Sequence, residues 1–283
     1  MQGKVCIVTG ATAGIGEVTA LELARKGATV VVISRNETKC RATVDRIRAE
    51  TGNPNVDYLV ADLSSQAATR AVAAAFQEKY DRLDVLVNNA GVFYTSRQES
   101  ADGIEMTFAL NHLGYFLLTE LLRDMLVESA PSRVVSVSSG AHFGGKINFD
   151  DLEGKQKYSG WQAYSNSKLA NVLFTAELAR QLDGTGVTAN SLHPGFVASN
   201  FAMNNLTGFM SVIRPFYRLL QKVVAISPEK GAETMIFLAT SPEVEGVTGK
   251  YFDKSKAVTP SKAAQDMDAA KRLWAMSEGM VGV

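Results

Sequence analysis

Disulfide chemistry has almost nothing to work with in this chain. Only Cys6 and Cys40 are cysteine among 283 residues, which excludes a disulfide-stapled secreted scaffold and leaves two reduced thiols as the expectation. Histidine is nearly as scarce. His112, His142 and His193 share no metal-ligand spacing with each other or with the cysteines, so no metal site is expected. Net charge is absent as well. With 29 basic and 29 acidic side chains, no general attraction to nucleic acid or an anionic membrane is expected. No apolar run approaches the ~20 residues that cross a bilayer. The N-terminal Met1-Gln2-Gly3-Lys4 runs into a short apolar stretch with neither the apolar region nor the cleavage site of a signal peptide. Linkers, low-complexity tracts and repeats are also missing. The expectation is a soluble, cytoplasmic protein with no transmembrane anchor and no nucleic-acid partner, built as one domain over residues 1–283.

What is present is ordinary globular material. Hydrophobic residues make up 46% and charged residues 20%, which excludes a disordered chain. Strand-like runs at 5–8, 30–33, 56–60, 85–87, 133–137 and 187–192 alternate with helix-like stretches at 15–26, 37–50, 67–79, 108–126 and 163–182. Val30-Val31-Val32-Ile33 is apolar throughout, as a strand buried on both faces requires. Repeated β-α-β spacing predicts an α/β fold: a doubly wound parallel sheet with helices on both faces. Residues 140–162 are long for a loop in such a fold, and loops of that length are often functional. Residues 200–226 break the alternation. Their apolar residues follow helical spacing, with Ser211, Arg214, Arg218 and Lys222 on the other side, and Pro215 divides them into two short helices.

Thr9-Gly10-Ala11-Thr12-Ala13-Gly14-Ile15-Gly16 lies between the first strand and the first helix. Glycines there let backbone approach a pyrophosphate, and the helix N-terminus offers it unpaired N–H groups. In that context the loop reads as a dinucleotide site. The second strand ends Ser34-Arg35-Asn36. An acidic residue at that point would take the ribose hydroxyls of NAD, whereas arginine suits the 2′-phosphate of NADP. NADP is therefore expected over NAD, resting on Arg35. Asp62 either accepts a hydrogen bond from an adenine amino group or caps the next helix, a role for which Ser64 competes.

Tyr164 and Lys168 stand four residues apart and so share one helix face. Together with the glycine loop, Asn88-Asn89-Ala90-Gly91, Asn111, Ser139 and Pro194-Gly195, in that order, the chain resembles the short-chain dehydrogenase/reductase family from about residue 3 to about residue 255. Within it, Asn111-His112-Leu113-Gly114, the long stretch from Ser139 to Tyr164 and the tail Arg272-Leu273-Trp274 are similar to the retinol-dehydrogenase-like branch.

The resemblance implies a single Rossmann-type domain and a set of roles. Tyr164 exchanges a proton with the substrate oxygen, Lys168 favours its phenolate and holds the nicotinamide ribose, and Ser139 hydrogen-bonds the substrate oxygen. Asn111 holds a relay water, and the hydride comes from the nicotinamide. It also implies cofactor contacts from Gly10, Thr12, Ala13, Gly14, Ile15 and Gly16, from Arg35 and Asn36, from Asp62 and Leu63, and from Asn88, Ala90 and Gly91. Further along, Pro194, Gly195, Val197 and Ser199 join them. Ala13 departs from the basic residue of many NADP-preferring relatives, so dual cofactor use stays open. The 200–226 segment takes the place of a helical substrate lid, and its apolar face points to a hydrophobic aldehyde, ketone or alcohol. Core filling, a subunit interface and surface docking on membrane are the alternatives for it.

Many relatives pair through the helix carrying Tyr164, which makes a homo-oligomer an open expectation. The function expected is a carbonyl reductase/alcohol dehydrogenase. Two rivals remain: a light-dependent C=C reductase resembling the protochlorophyllide reductases, and a dinucleotide-binding sensor without turnover. The presence of all four catalytic residue types disfavours the sensor.

Overall fold

The computed structural model describes residues 1–196 and 226–283. The 200–225 stretch of the expected lid, with Val197 and Ser199, lies outside the described residues. The fold alternates from the N-terminus: β1 (Val5–Thr9), α1 (Gly14–Arg25), β2 (Thr29–Ser34), α2 (Glu37–Thr51), β3 (Val56–Val60), α3 (Gln66–Lys79) and β4 (Val85–Asn88). It continues through α4 (Met106–Phe108), α5 (Gly114–Leu121), α6 (Arg123–Glu128), β5 (Ser132–Val137), α7 (Gly160–Gln181) and β6 (Val187–His193). It closes with α8 (Pro228–Thr240), a β7–β8 hairpin (Tyr251–Asp253 and Lys256–Val258) and α9 (Met267–Val281).

These strands make one sheet in the order β3-β2-β1-β4-β5-β6-β7-β8. All its pairings are parallel except the antiparallel β7–β8 pair at the edge. The doubly wound expectation therefore holds. All five residues of β1 are buried, because helices cover both sides and each side has its own apolar cluster. Ile7, Leu86 and Phe116 belong to one cluster, and Val8, Val87 and Met235 to the other. Successive strands are added to one side from β1 to β3 and to the other from β4 onward, so the order switches between β1 and β4, and ligands bind beyond the strand ends at such a point.

Three local readings need correction. The apolar run at 108–126 is not one helix. It is α4, a π turn at Ala109–Leu113, α5, a break at Leu122 and then α6. A Cβ on Gly114 would come within 2.6 Å of the Leu63 carbonyl oxygen, so the helix is seated against the loop after β3. Residues 140–162 are not all loop: a 3₁₀ turn spans Gly140–Gly144, and α7 begins at Gly160. Neither Asp62 nor Ser64 caps α3. Ser65 does, through the Ala68 N–H.

Candidate active site

The glycine loop closes on β4 through backbone and two polar side chains. Gly10 has φ +64°, and a Cβ there would lie 2.7 Å from Ala90 Cα. Only glycine meets both conditions. Thr9 Oγ1 accepts the N–H groups of Asn89 and Ala90 at 2.9 and 3.0 Å. Asn89 Nδ2 donates back to the Thr9 and Gly10 carbonyls at 2.8 and 3.3 Å. Gly16 is buried in the same clasp, its Cβ position 2.8 Å from the Gly10 carbonyl oxygen.

Gly14 differs. Its φ is +61°, yet nothing lies within 4 Å of its Cβ position. Ala13 precedes α1 without any side-chain capping bond, whereas α2, α3, α7 and α8 are each capped by Asn or Ser. The first N–H groups of α1 are thus unspent by a cap and face an open glycine, the arrangement an anionic phosphate requires. Thr12 Oγ1 sits 3.2 Å from Ser34 Oγ, tying the loop to the end of β2. Arg35 follows, exposed to solvent, and Asn36 caps α2. Asp62 is half-buried, its Oδ1 accepting from Ser64 N and Oγ at 3.0 and 2.7 Å, and Leu63 is buried. These residues fit a dinucleotide laid across the ends of β1, β2 and β3.

Asn88 lies deeper than its neighbour. It is fully buried, with Nδ2 donating to Thr119 Oγ1 on α5 at 3.0 Å. Its Oδ1 has no partner among the described residues. The side chain that touches the glycine loop is that of Asn89, to which the sequence reading assigned no cofactor contact. Ala90 and Gly91 are partly exposed beyond it.

The second half of the site stands on β5 and α7. Ser138 and Ser139 follow β5 with opposite fates. Ser138 is 1% exposed, and its hydroxyl donates to the Lys168 carbonyl at 2.7 Å. Ser139 is partly exposed and accepts the Ala141 N–H at 3.2 Å, which leaves its own proton to donate. Geometry therefore singles out Ser139 as the serine open to a ligand. Gly140 N donates to His193 Nδ1 at 3.0 Å, and His142 Nδ1 lies 2.7 Å from the Ser139 carbonyl oxygen. Both histidines brace this turn. Pro194 and Gly195 follow β6 beside it, Gly195 with φ +85°.

Ser159 caps α7, and Tyr164 stands early on that helix. The rings of Phe93 and Trp161 lie 5.7 and 6.2 Å from its ring centre. One turn on, Lys168 is 3% exposed. Its Nζ donates to the Val137 carbonyl at 3.0 Å and sits 5.7 Å from the centre of the Tyr164 ring. Burial pulls its amine down to about 7. Asn111, on the π turn, is fully buried. Its Oδ1 accepts Val92 N at 2.7 Å, and its Nδ2 donates to Val92 O and Ser167 Oγ, both at 3.0 Å. The side-chain amide thus staples the loop after β4 to α7. No group of His, Cys, Asp and Glu able to hold a metal occurs among the described residues.

A doubly wound sheet whose switch point carries a phosphate-ready glycine loop, with a lysine buried behind a tyrosine, defines a dinucleotide-binding oxidoreductase. Comparison with known proteins carries this to the family. The family model for short chain dehydrogenase matches residues 4–208. Human retinol dehydrogenase 13 is 46% identical over 286 residues, covering 99% of this chain and 85% of its own length. Human retinol dehydrogenase 14 is 43% identical, covering 100% and 88%.

Among solved structures, a protein from Mycobacterium paratuberculosis superposes with a TM-score of 0.79 at 32% identity, covering 100% of this chain and 94% of that one. RhlG from Pseudomonas aeruginosa, determined as an NADP active-site complex, superposes at 0.70 with 29% identity, covering 89% and 94%. The chain belongs to the short-chain dehydrogenase/reductase family, in its retinol-dehydrogenase-like branch. It is an oxidoreductase that uses a nicotinamide dinucleotide. No helix among the described residues is long and apolar enough to cross a membrane.

Proposed function

We propose that the protein interconverts a hydrophobic aldehyde or ketone and its alcohol with NADP(H), Tyr164 serving as acid/base. The observation that carries this reading is the pairing on α7. Lys168 Nζ is buried, anchored on Val137 and 5.7 Å from the Tyr164 ring centre. A positive charge so close favours the phenolate and brings tyrosine chemistry towards neutral pH. An amine already drawn down to about 7 changes charge in the same range. Ser139 donates its hydroxyl proton to the substrate oxygen as charge develops there. Asn111 works through its backbone. Its side-chain amide is spent on Val92 and Ser167, so its carbonyl is the group left to hold a relay water, and π turns are frequent at functional sites. The nicotinamide, when bound, supplies or accepts the hydride.

Arg35 supports NADP over NAD, because an exposed guanidinium at the end of β2 suits a 2′-phosphate. The apolar substrate is supported by Phe143, Trp161 and Phe196. They are 61, 62 and 46% exposed and follow Ser139, precede Tyr164 and follow Gly195 respectively. Each stands within four residues of a site residue, and exposed aromatic surface beside a site suits an apolar ligand.

The test is NADPH oxidation in the dark with all-trans-retinal and a panel of aliphatic aldehydes, with Tyr164→Phe beside the wild type. Turnover that needs Tyr164 is the expected result. No turnover across the panel, with NADPH still binding, would overturn the reading in favour of a sensor or a light-driven reductase.

A further inference from the structure

Two histidines meet the turn that carries Ser139, and neither takes part in the chemistry above. His142 is fully buried, its ring packed on Tyr251 of β7 with centres 4.6 Å apart. His193 ends β6, and a Cβ on Gly140 would lie 3.4 Å from its Nε2. Each ring puts one nitrogen on the same peptide unit, the one formed by Ser139 C=O and Gly140 N–H. His142 Nδ1 lies 2.7 Å from the Ser139 oxygen, and Gly140 N donates to His193 Nδ1 at 3.0 Å.

Backbone partners dictate the two tautomers. Ser261, in the loop between β8 and α9, donates its N–H to His142 Nε2 at 3.1 Å. A backbone amide nitrogen can only donate. His142 Nε2 therefore holds the lone pair, and Nδ1 carries the proton that goes to the Ser139 oxygen. His193 is the reverse. Its Nδ1 receives the Gly140 N–H, which leaves the proton on Nε2. Both rings are thus neutral, and each is the opposite tautomer of the other. Burial is the main cause that lowers both imidazoles from their ordinary range, which keeps them neutral at neutral pH.

We propose that His142 and His193 are positioning residues for Ser139, clamping the Ser139–Gly140 peptide at its oxygen and at its N–H, and that His142 makes the loop before α9 part of the site. The inference rests on the reading of Ser139 as donor to the substrate oxygen. The Ser139 carbonyl also accepts the His142 backbone N–H at 3.1 Å, and Ser139 Oγ accepts the Ala141 N–H at 3.2 Å. The peptide plane cannot turn over without losing the bonds to both imidazoles. With the plane fixed and its oxygen already receiving an N–H, the hydroxyl keeps one seat from which to donate its proton. A donor held ready for developing charge needs no reorganisation during the reaction.

Steady-state kinetics with NADPH and all-trans-retinal test the clamp. His142→Phe and His193→Phe are each expected to lower kcat about tenfold, with KM for retinal within about twofold of wild type. His142→Asn and His193→Asn return a donor or an acceptor close to the Nδ1 position and should recover most of that loss. In a Ser139→Ala background neither phenylalanine variant should lower kcat by more than about twofold further, because both histidines act through Ser139. Equal losses with and without Ser139, or asparagine variants no better than phenylalanine, would overturn the proposal.

A readout free of turnover separates this failure from failure of the proposed activity. The chain has three histidines, so each signal of ¹⁵N-histidine-labelled, cofactor-free protein is assigned from the variant that lacks it. Long-range ¹H–¹⁵N spectra at neutral pH should show His142 protonated on Nδ1 and His193 on Nε2. Any other state of either ring overturns the clamp. The expected tautomers in a protein that does not reduce retinal sink the activity and leave the clamp standing.

Discussion

The two halves of the site are built from different materials. On the cofactor side, β1 meets β4 through backbone: Gly10 against Ala90, Gly16 against the Gly10 carbonyl, and Thr9 and Asn89 bonding to main-chain groups. On the α7 side the working groups are side chains, and what holds them is burial. Lys168 and Asn111 are each 3% exposed or less. Where backbone closes on backbone, as at Gly10 and Gly16, no added atom fits. A site made of side chains tolerates exchange without collapse, but loses its chemistry.

That contrast can be broken experimentally. The largest effect is expected on the side-chain half. Tyr164→Phe should cut kcat by about 10²–10⁴, the range for a lost acid–base group, while thermal unfolding stays close to wild type. A matched fall in melting temperature would mean that Tyr164 is a packing residue. On the backbone half, Gly10→Ala should destabilise the fold by about 2–4 kcal/mol, because a left-handed φ and a 2.7 Å clash add. Gly14→Ala, with the same φ and open space, should cost about 1 kcal/mol in unfolding and show itself mainly as weaker NADPH binding. Equal unfolding costs at the two glycines would erase the distinction between clasp and phosphate platform.

The pH dependence of stability sharpens the other half. Burial lowers Lys168 from 10.5 to about 7. Between those values the unfolded chain binds the proton that the folded protein has released. Stability of the cofactor-free protein therefore rises with pH across that window, on the order of a few kcal/mol, and is lost again as pH falls to about 7. Denaturant unfolding of wild type against Lys168→Met should show this rise only in the wild type. The smallest expected effect is at the solvent-exposed edge. Arg35→Ala should reduce the preference for NADPH over NADH by about 10–100-fold, the worth of a charged hydrogen bond, with little change in stability. An unchanged ratio of kcat/KM for the two cofactors would remove Arg35 from the argument.

Much of this was legible beforehand because its causes are local. The glycine loop sits within eight residues, and its spacing after an apolar strand reports a tight turn. Tyr164 and Lys168 share a helix face by spacing alone. The apolar run at 108–126 misled for the same reason, since its composition suits one helix and nothing within it announces the π turn. The interruption comes from elsewhere: Leu63 O against Gly114, and Val92 on the Asn111 amide. Ser138 and Ser139 are chemically identical neighbours; the resemblance points to Ser139, and burial supplies the physical difference between them. Asn89 was invisible as a contributor because an asparagine carries no mark of the carbonyl it will hold.

By itself, the sequence determined the class of fold, the end of the sheet at which a phosphate would sit and the two side chains that would share a helix face. Each depends on periodicity and backbone conformation over a few residues. Tertiary structure decided which serine opens to a ligand, which asparagine grips the glycine loop, and how a lysine comes to be buried beside a tyrosine. Those outcomes depend on solvent exclusion and on carbonyls supplied from distant strands. Histidine 112 is the sharpest case, a lone polar residue in an apolar run until α9 brings Ser277 within 2.8 Å of it.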